Sequence, residues 1–484
     1  NNENVNNEFL HPLNASKKPE TAEDVKKNKY AHGVSIFEIK NNSGKWIVVK
    51  DSIYNRRITP ETNIELTGPA RGSVYVRTDI DLAGVNVKGT FNNCASGKTP
   101  WGTYLTCEEN FNAYFMSSDV NEKITSEFKR YGISNKDWGY GWGKYDDRFD
   151  ISKVPNEANR FGYVVEIDPT QPNSIPKKRT ALGRFKHENA EVVLTKDNRV
   201  VVYMGDDERG EFVYKFIASK KYESQGDNSN ILDEGDLYVG KFNDDGSGVW
   251  LILDEKSTGM KRAEICVHTR QAASKVNPTT MDRPEWVASH PLKSEVYVAL
   301  TNNSNRGKSE AMPINAANPR VDNKYGQIVK WIPTNNDHTS NSFKWEIFLL
   351  AGNPKVHNNE KAGTKNINAN NMFNSPDGIG FDSQGGLWIL TDGNYSNKGD
   401  FEGQGNNMML YADPISQTIK RFMVGPIGCE ITGLCFSPDK KTMFVGVQHP
   451  GEDGTNSHFP GSADNTLPRS SIIAISMKNN QTFL

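Results

Sequence analysis

The sequence lacks the features that mark membrane proteins, disulfide scaffolds and nucleic-acid binders. Its longest apolar runs, such as IFLLAG (347–352), are far too short to span a bilayer. Cys94, Cys107, Cys266, Cys429 and Cys435 are sparse and odd in number, which excludes a disulfide framework and leaves at least one thiol free or bound to something else. Lys+Arg 57 nearly cancels Asp+Glu 59, and a net charge of -2 excludes a strongly basic nucleic-acid binder and a polyacidic tail. No dinucleotide or P-loop glycine motif, His-Glu-x-x-His, nucleophile elbow or Cys-x-x-Cys occurs, so nucleotide cofactors, zinc-protease chemistry and a serine nucleophile lose their usual support. The chain opens NNENVNNEFL, without the charged and apolar regions of a signal peptide. With no initiator Met it reads as a mature or trimmed chain, and cytosolic and exported readings both stand.

Strand signals are plentiful. The runs KWIVVKD (45–51), SVYVRTDI (73–80), YVVEID (163–168), RVVVYMGD (199–206), EVYVALT (295–301), GLWILTD (386–392) and TMFVGVQ (442–448) are short, rich in Val, Ile, Tyr and Trp, and bounded by turn residues. Helical periodicity is confined to 116–133, with Val120, Ile124 and Phe128 on one face, and to a start at Thr21 ahead of Glu23. The 484 residues allow about three domains or one large all-β domain, and the 41 glycines and many asparagines make much of the chain turn.

Repeats decide among the all-β folds. ENAEVVLTKDNRVVVYMGDD (188–207), EWVASHPLKSEVYVALTNN (285–303), DGIGFDSQGGLWILTDG (377–393) and EITGLCFSPDKKTMFVGVQH (430–449) share one layout: an acid, a short strand, a polar turn, a strongly apolar strand and a closing polar pair. GKTPWGTYLTCEEN (97–110) has the second half. A hairpin returns to the end where it began. If these hairpins are the inner strands of propeller blades, Glu188, Glu285, Asp377 and Glu430 meet at one mouth, with Cys107-Glu108, Asp206-Asp207 and Asn302-Asn303 beside them. The opening acids are 97, 92 and 53 residues apart, against about 40–45 per usual blade. Insertions at 131–150, 221–236, 303–325 and 353–372 are therefore expected as lids and collars.

Several constellations carry chemistry. In TPWGTYLTCEENF (99–111) a thiol precedes two glutamates, a mixed soft and hard donor set that suits a ferric ion or a mixed site better than Mg²⁺ or Ca²⁺ alone. GRFKHENAEV (183–192) joins Lys186, an anion-binding candidate, to Glu188, a metal-ligand candidate. GDDERGEFVYKF (205–216) crowds Asp206, Asp207 and Glu208, a density that calls for a cation or solvent. In MDRPEWVASHP (281–291) Arg283 stands two residues before Glu285, and on an extended segment both face one way. Its guanidinium fork matches two phosphate oxygens. Cys429 and Cys435 in GPIGCEITGLCFSPD (425–439) read as packing residues beside the candidate Glu430, with His449 closing the repeat.

TPWGTYLTCEENFNAYF, GRFKHENAEV, GDDERGEFVYKF, MDRPEW, SPDGIGFDSQGGLWILTDG and EITGLCFSPDKKTMFVGVQHPGE, in this order, resemble the PhoX family of bacterial alkaline phosphatases from about residue 65 to the C-terminus. The resemblance implies an all-β, six-bladed β-propeller with long insertions and a few helices, in which 1–64 is an N-terminal extension and 65–484 the phosphatase domain. It implies two Fe³⁺ and several Ca²⁺ ions with a bridging oxo group, hydrolysis of phosphate monoesters to inorganic phosphate, and twin-arginine export to the periplasm or beyond. A monomer acting on small molecules is expected, with no nucleic-acid partner and no membrane span. By motif, Cys107 would be the thiolate ligand of iron and Glu188 a carboxylate ligand. One or both of Glu108 and Glu109, and of Asp206 and Asp207, would join Glu285, Asp377 and Glu430 around the metals. Arg283 and Lys186 would hold the phosphate. Two rivals stand beside this reading: a calcium-dependent lactonase or esterase on the same fold, and a binding propeller gripping its ligand with Trp138, Tyr140, Trp142 and Tyr145.

Overall fold

The computed structural model describes residues 1–484 except 455–456, 463–465, 479–480 and 484. The chain forms two compact units, one of residues 1–206, 214–239 and 250–278, the other of 207–213, 240–249 and 279–484. Both are built mainly from short antiparallel strands with few helices, a β-propeller-like architecture.

All four sequence repeats fold as hairpins. The first, Glu191–Leu194 with Arg199–Gly205, lies in the first unit. There Asn93–Lys98, Tyr104–Glu108, Val164–Ile167 and Lys177–Arg179 also run as successive antiparallel neighbours. The other three lie in the second unit. Pro284–Ser289 with Val296–Leu300 continues into Gln327–Pro333 and Ser342–Leu350. Pro376–Phe381 with Leu387–Thr391 continues into Met408–Ala412 and Ile419–Val424. Glu430–Phe436 with Thr442–Gln448 continues into Ser471–Ser476. The second strand of the second and third hairpins is paired on both sides and buried along its whole length, so it reads as an unbroken apolar run. The strand Ile419–Val424 alternates instead, with one face covered and one open.

Local side-chain bonding overrides two expectations. SVYVRTDI is no strand. Val74 and Ile80 are exposed, and the Asp81 carboxylate accepts the backbone N–H groups of Gly84, Val85 and Asn86, folding the segment into turns. In 116–133 only Ser126–Arg130 is helical. Ser117 and Asp119 cap each other's neighbourhood, and Val120 points to solvent. The helix Ala22–Ala31 begins as expected at Thr21, whose reciprocal partner in the cap is Asp24. The aromatic segment 131–150 divides between core and surface. Trp142 packs in the core of the first unit against Phe91, Tyr114 and Phe149, while Trp138 stands exposed.

That core encloses His32, whose ring nitrogens meet the carbonyl of Asn28 at 2.8 Å and the hydroxyl of Tyr114 at 2.9 Å. Burial holds its pKa down to about 4, from an ordinary 6.5. The unfolded chain therefore binds this proton more readily than the folded one. The stabilisation is complete above pH 6.5 and is lost as pH falls toward 4, by an amount on the order of 3 kcal/mol. Urea midpoints measured at pH 7 and pH 5 should fall with acid, and His32→Gln should flatten that slope. An unchanged slope in the variant would exclude His32 as the source.

Candidate metal centre and active site

In the second unit two of the three opening acids, Glu285 and Asp377, stand at irregular points of their strands, while Glu430 pairs in register with Gln448. Strand register shifts between Pro284 and Val287, around Glu285, and again between Pro376 and Ile379, around Asp377. A bulge of this kind re-aims a side chain out of the sheet's alternation. The residue before each proline, Arg283 at φ 56° and Ser375 at φ 50°, is left-handed. Proline disfavours helical backbone in its predecessor, so both positions carry strain of about 1–3 kcal/mol. Arg283 is thus not on the extended segment that its spacing from Glu285 suggests, yet its guanidinium still reaches that acid. Nη2 lies 2.7 Å from Asp207 Oδ2 and 3.3 Å from Glu285 Oε1.

Five carboxylates, Asp207, Glu285, Asp377, Asp392 and Glu430, interact with one guanidinium, Arg283, and one imidazole, His449. Of the carboxylates all but Asp392 are buried, and Arg283 and His449 are partly buried. Burial, then Glu430, Asp392 and Asp207, push the Asp377 carboxyl well above the carboxylate range, with Arg283 opposing. Burial alone would lower the Arg283 pKa, but Asp207 and Glu285 overcome it and keep the guanidinium charged. Burial likewise works against protonated His449, and the bond to Glu430 outweighs it, raising the imidazole to about 10. Asp392, Glu430 and His449 each offer a ligand atom within 4.8 Å of the others. Such a set is short of positive charge and rich in hard oxygen donors, which fits hard cations.

The first unit holds the thiol and the remaining acids. Cys107, near the end of Tyr104–Glu108, is fully buried; burial, then Glu188 and Glu108, push its thiol pKa well up. Cys94, within the register shift between Asn93 and Ser96, donates through Sγ to Glu188 Oε2 at 3.2 Å. The two pairs that sequence left open differ in their surroundings. Glu108 bonds to Lys178 at 2.8 Å and accepts the N–H groups of Gly162 and Tyr163, whereas Glu109 is buried beside Asn110. Asp206 accepts from Arg270 Nε and Nη2 at 2.8 and 2.5 Å and from the backbone N–H of Lys186 at 3.3 Å, whereas Asp207 faces Arg283. His187 stacks on Phe185 and bonds to the carbonyl of Gly183; burial holds it neutral, at about 3. Cys429 packs in a core with Ile431 and Met443, but Cys435 is exposed: its strand leaves that face uncovered.

Sequence reasoning passed over Cys94 and Asp392. Asp392 follows the apolar strand of its repeat, where Asp206-Asp207 and Asn302-Asn303 close theirs, so the layout already marked it. The recurring x-Pro-acid of Arg283-Pro284-Glu285 and Ser375-Pro376-Asp377 was a further signal.

The family described as Alkaline phosphatase PhoX matches residues 1–451. The structure is similar to that of Pseudomonas fluorescens PhoX in complex with vanadate, a transition state analogue: the two share 50% identity, the match covers 100% of this chain and 86% of that one, and the TM-score is 0.96. The periplasmic gluconolactonase PpgL of Pseudomonas aeruginosa is 9% identical over 92% of this chain and 96% of that one, with a TM-score of 0.32, which is too weak to carry an argument. No curated protein matches. These likenesses favour neither the lactonase nor the binding propeller, and the chain belongs to the PhoX family of alkaline phosphatases.

Proposed function

We propose that this alkaline phosphatase hydrolyses phosphate monoesters at a centre holding Fe³⁺ and Ca²⁺, with Arg283 gripping the transferred phosphoryl group. The observation that carries the reading is Arg283 itself, strained at φ 56° and surrounded by Asp207, Glu285 and Asp377. Glu109, Glu188, Asp207, Glu285, Asp377 and Glu430 would be the carboxylate ligands and Cys107 the thiolate. Glu108 and Asp206, each tied to a buried cation, would support that set from behind. Lys186 would add a second positive charge toward the phosphate.

Bound metals would neutralise the dianion, lower the pKa of a water and stabilise the leaving alkoxide. The chain's own part is orientation. Arg283 presents a planar fork that pairs with two equatorial oxygens and holds phosphorus in line for attack. No serine or threonine stands in an evident nucleophile motif, so the attacking group would be a hydroxide or oxo group activated by the metals rather than a side chain. The resemblance further supports six blades, a 65–484 catalytic region preceded by the 1–64 extension, a monomer and a periplasmic or secreted site of action. No helix among the described residues is long and apolar enough to cross a membrane. Elemental analysis of protein purified without chelators, run beside phenyl phosphate hydrolysis, tests the reading. Protein that is metal-free yet fully active would refute it.

Cys107→Ala should lose iron while the fold survives. A ferric thiolate is coloured, so the variant should be paler. Cys435→Ala, at an exposed position, should keep the colour and change stability by no more than about 0.5 kcal/mol. Equal iron loss in both variants would sink the assignment of Cys107.

A further inference from the structure

The second unit contains a cavity of about 180 Å³ at the ends of its second and third hairpins. Resting on the phosphatase reading above, we propose that this cavity receives the alcohol portion of the ester and selects alcohols that carry further hydroxyl groups.

Its position ties it to the acid cluster. Thr301 donates its backbone N–H to the carbonyl of Arg283 at 3.1 Å, and the next residue, Asn302, lines the cavity. The Asn302 amide donates to Ser375 Oγ at 3.1 Å, and Ser375 stands two residues before Asp377. Asp392 donates its N–H to the Ser375 carbonyl at 3.2 Å and lines the cavity, and its carboxylate belongs to the group with Glu430 and His449. The cavity thus borders the acid cluster through Asp392, which also interacts with Arg283, and on this proposal the alcohol portion of an ester whose phosphate Arg283 holds would extend into it.

The lining sets the chemistry. Asn374 is a wall, because its amide donates to the Asn394 carbonyl and to Gln404 and its oxygen accepts the Asn394 N–H. The Asn302 side-chain oxygen and the Ser304 hydroxyl supply neutral hydrogen-bonding groups for hydroxyls. A second anion has little to bind there. The one cation on the wall, Lys324, is paired with Asp400 at 2.5 Å and Asp322 at 3.6 Å, and Asp392 adds negative charge. Phe401, held edge-on to Tyr325, offers an apolar face for the C–H side of a polyol. Water takes about 30 Å³ in the liquid, so the space equals roughly six waters. Sites for drug-sized ligands run to about 300–1,000 Å³. A three- to six-carbon polyol fits this size.

Glycerol 3-phosphate and n-propyl phosphate have the same carbon count and differ only in two hydroxyls, so their kcat/KM ratio in metal-replete enzyme isolates the effect. The ratio should favour glycerol 3-phosphate by about tenfold or more, the worth of one or two net hydrogen bonds. Asn302→Leu and Ser304→Ala, made separately, should each bring the ratio toward one. Equal kcat/KM for the two esters in the wild type, or a preference that neither variant reduces, would overturn the proposal. Failure of the wild type to hydrolyse either ester or phenyl phosphate would overturn the phosphatase reading itself, a result separable from loss of selectivity alone.

Discussion

Enzyme stripped of metal and kept in excess chelator should hydrolyse no phosphate ester above background. The second unit alone sets Asp207, Glu285, Asp377, Asp392 and Glu430 against Arg283 and His449, and burial of all but Asp392 denies water the role of neutralising them. Without bound cations such a cluster repels the phosphate dianion it has to bind. Like-charge crowding should also loosen the strand ends that carry these acids, so the stripped protein should melt at lower temperature. Calcium alone should restore much of the melting temperature, and calcium with ferric iron the activity. Full turnover by metal-free protein would refute metal dependence, and recovery of full activity with calcium alone would refute the iron.

The hairpins were legible because their second strands are buried on both faces and therefore read as continuous apolar runs, as in Val296–Leu300 and Leu387–Thr391. The opening acids were legible because plain turn chemistry would accept Ser, Asn or Gly as readily. What stayed hidden was long-range pairing. Nothing in CEE or GDDE says that Glu108 is answered by Lys178 or Asp206 by Arg270, since those partners arrive from distant segments. Backbone irregularity was hidden too. Residue type does not announce the register shifts around Glu285 and Asp377 or the left-handed Arg283 and Ser375, though the repeated x-Pro-acid pointed there. The failed strand at 73–80 has the opposite cause: its composition was right for a strand, but the Asp81 carboxylate captured three backbone N–H groups and made turns.

Arg283→Lys should lower kcat/KM for phosphate monoesters by a factor on the order of 10²–10³, the usual loss when one electrostatic stabiliser of the transition state is removed. Lysine keeps the positive charge but not the planar fork, so it cannot pair with two phosphate oxygens at once. The structure sharpens this test because the guanidinium already touches two carboxylates, Asp207 at 2.7 Å and Glu285 at 3.3 Å. An ammonium has three donors and can serve both acids. If Arg283 merely neutralises them, lysine should preserve activity, metal content and phosphate affinity. If Arg283 instead holds the transferred group, metal content should stay constant, because arginine ligates no metal here, while competitive inhibition by inorganic phosphate weakens together with kcat/KM. Product and substrate share the oxygens that the fork grips, so the two losses belong together. Near-wild-type kinetics with unaltered phosphate inhibition would reject the clamp and leave Arg283 as a counter-charge of the acid cluster.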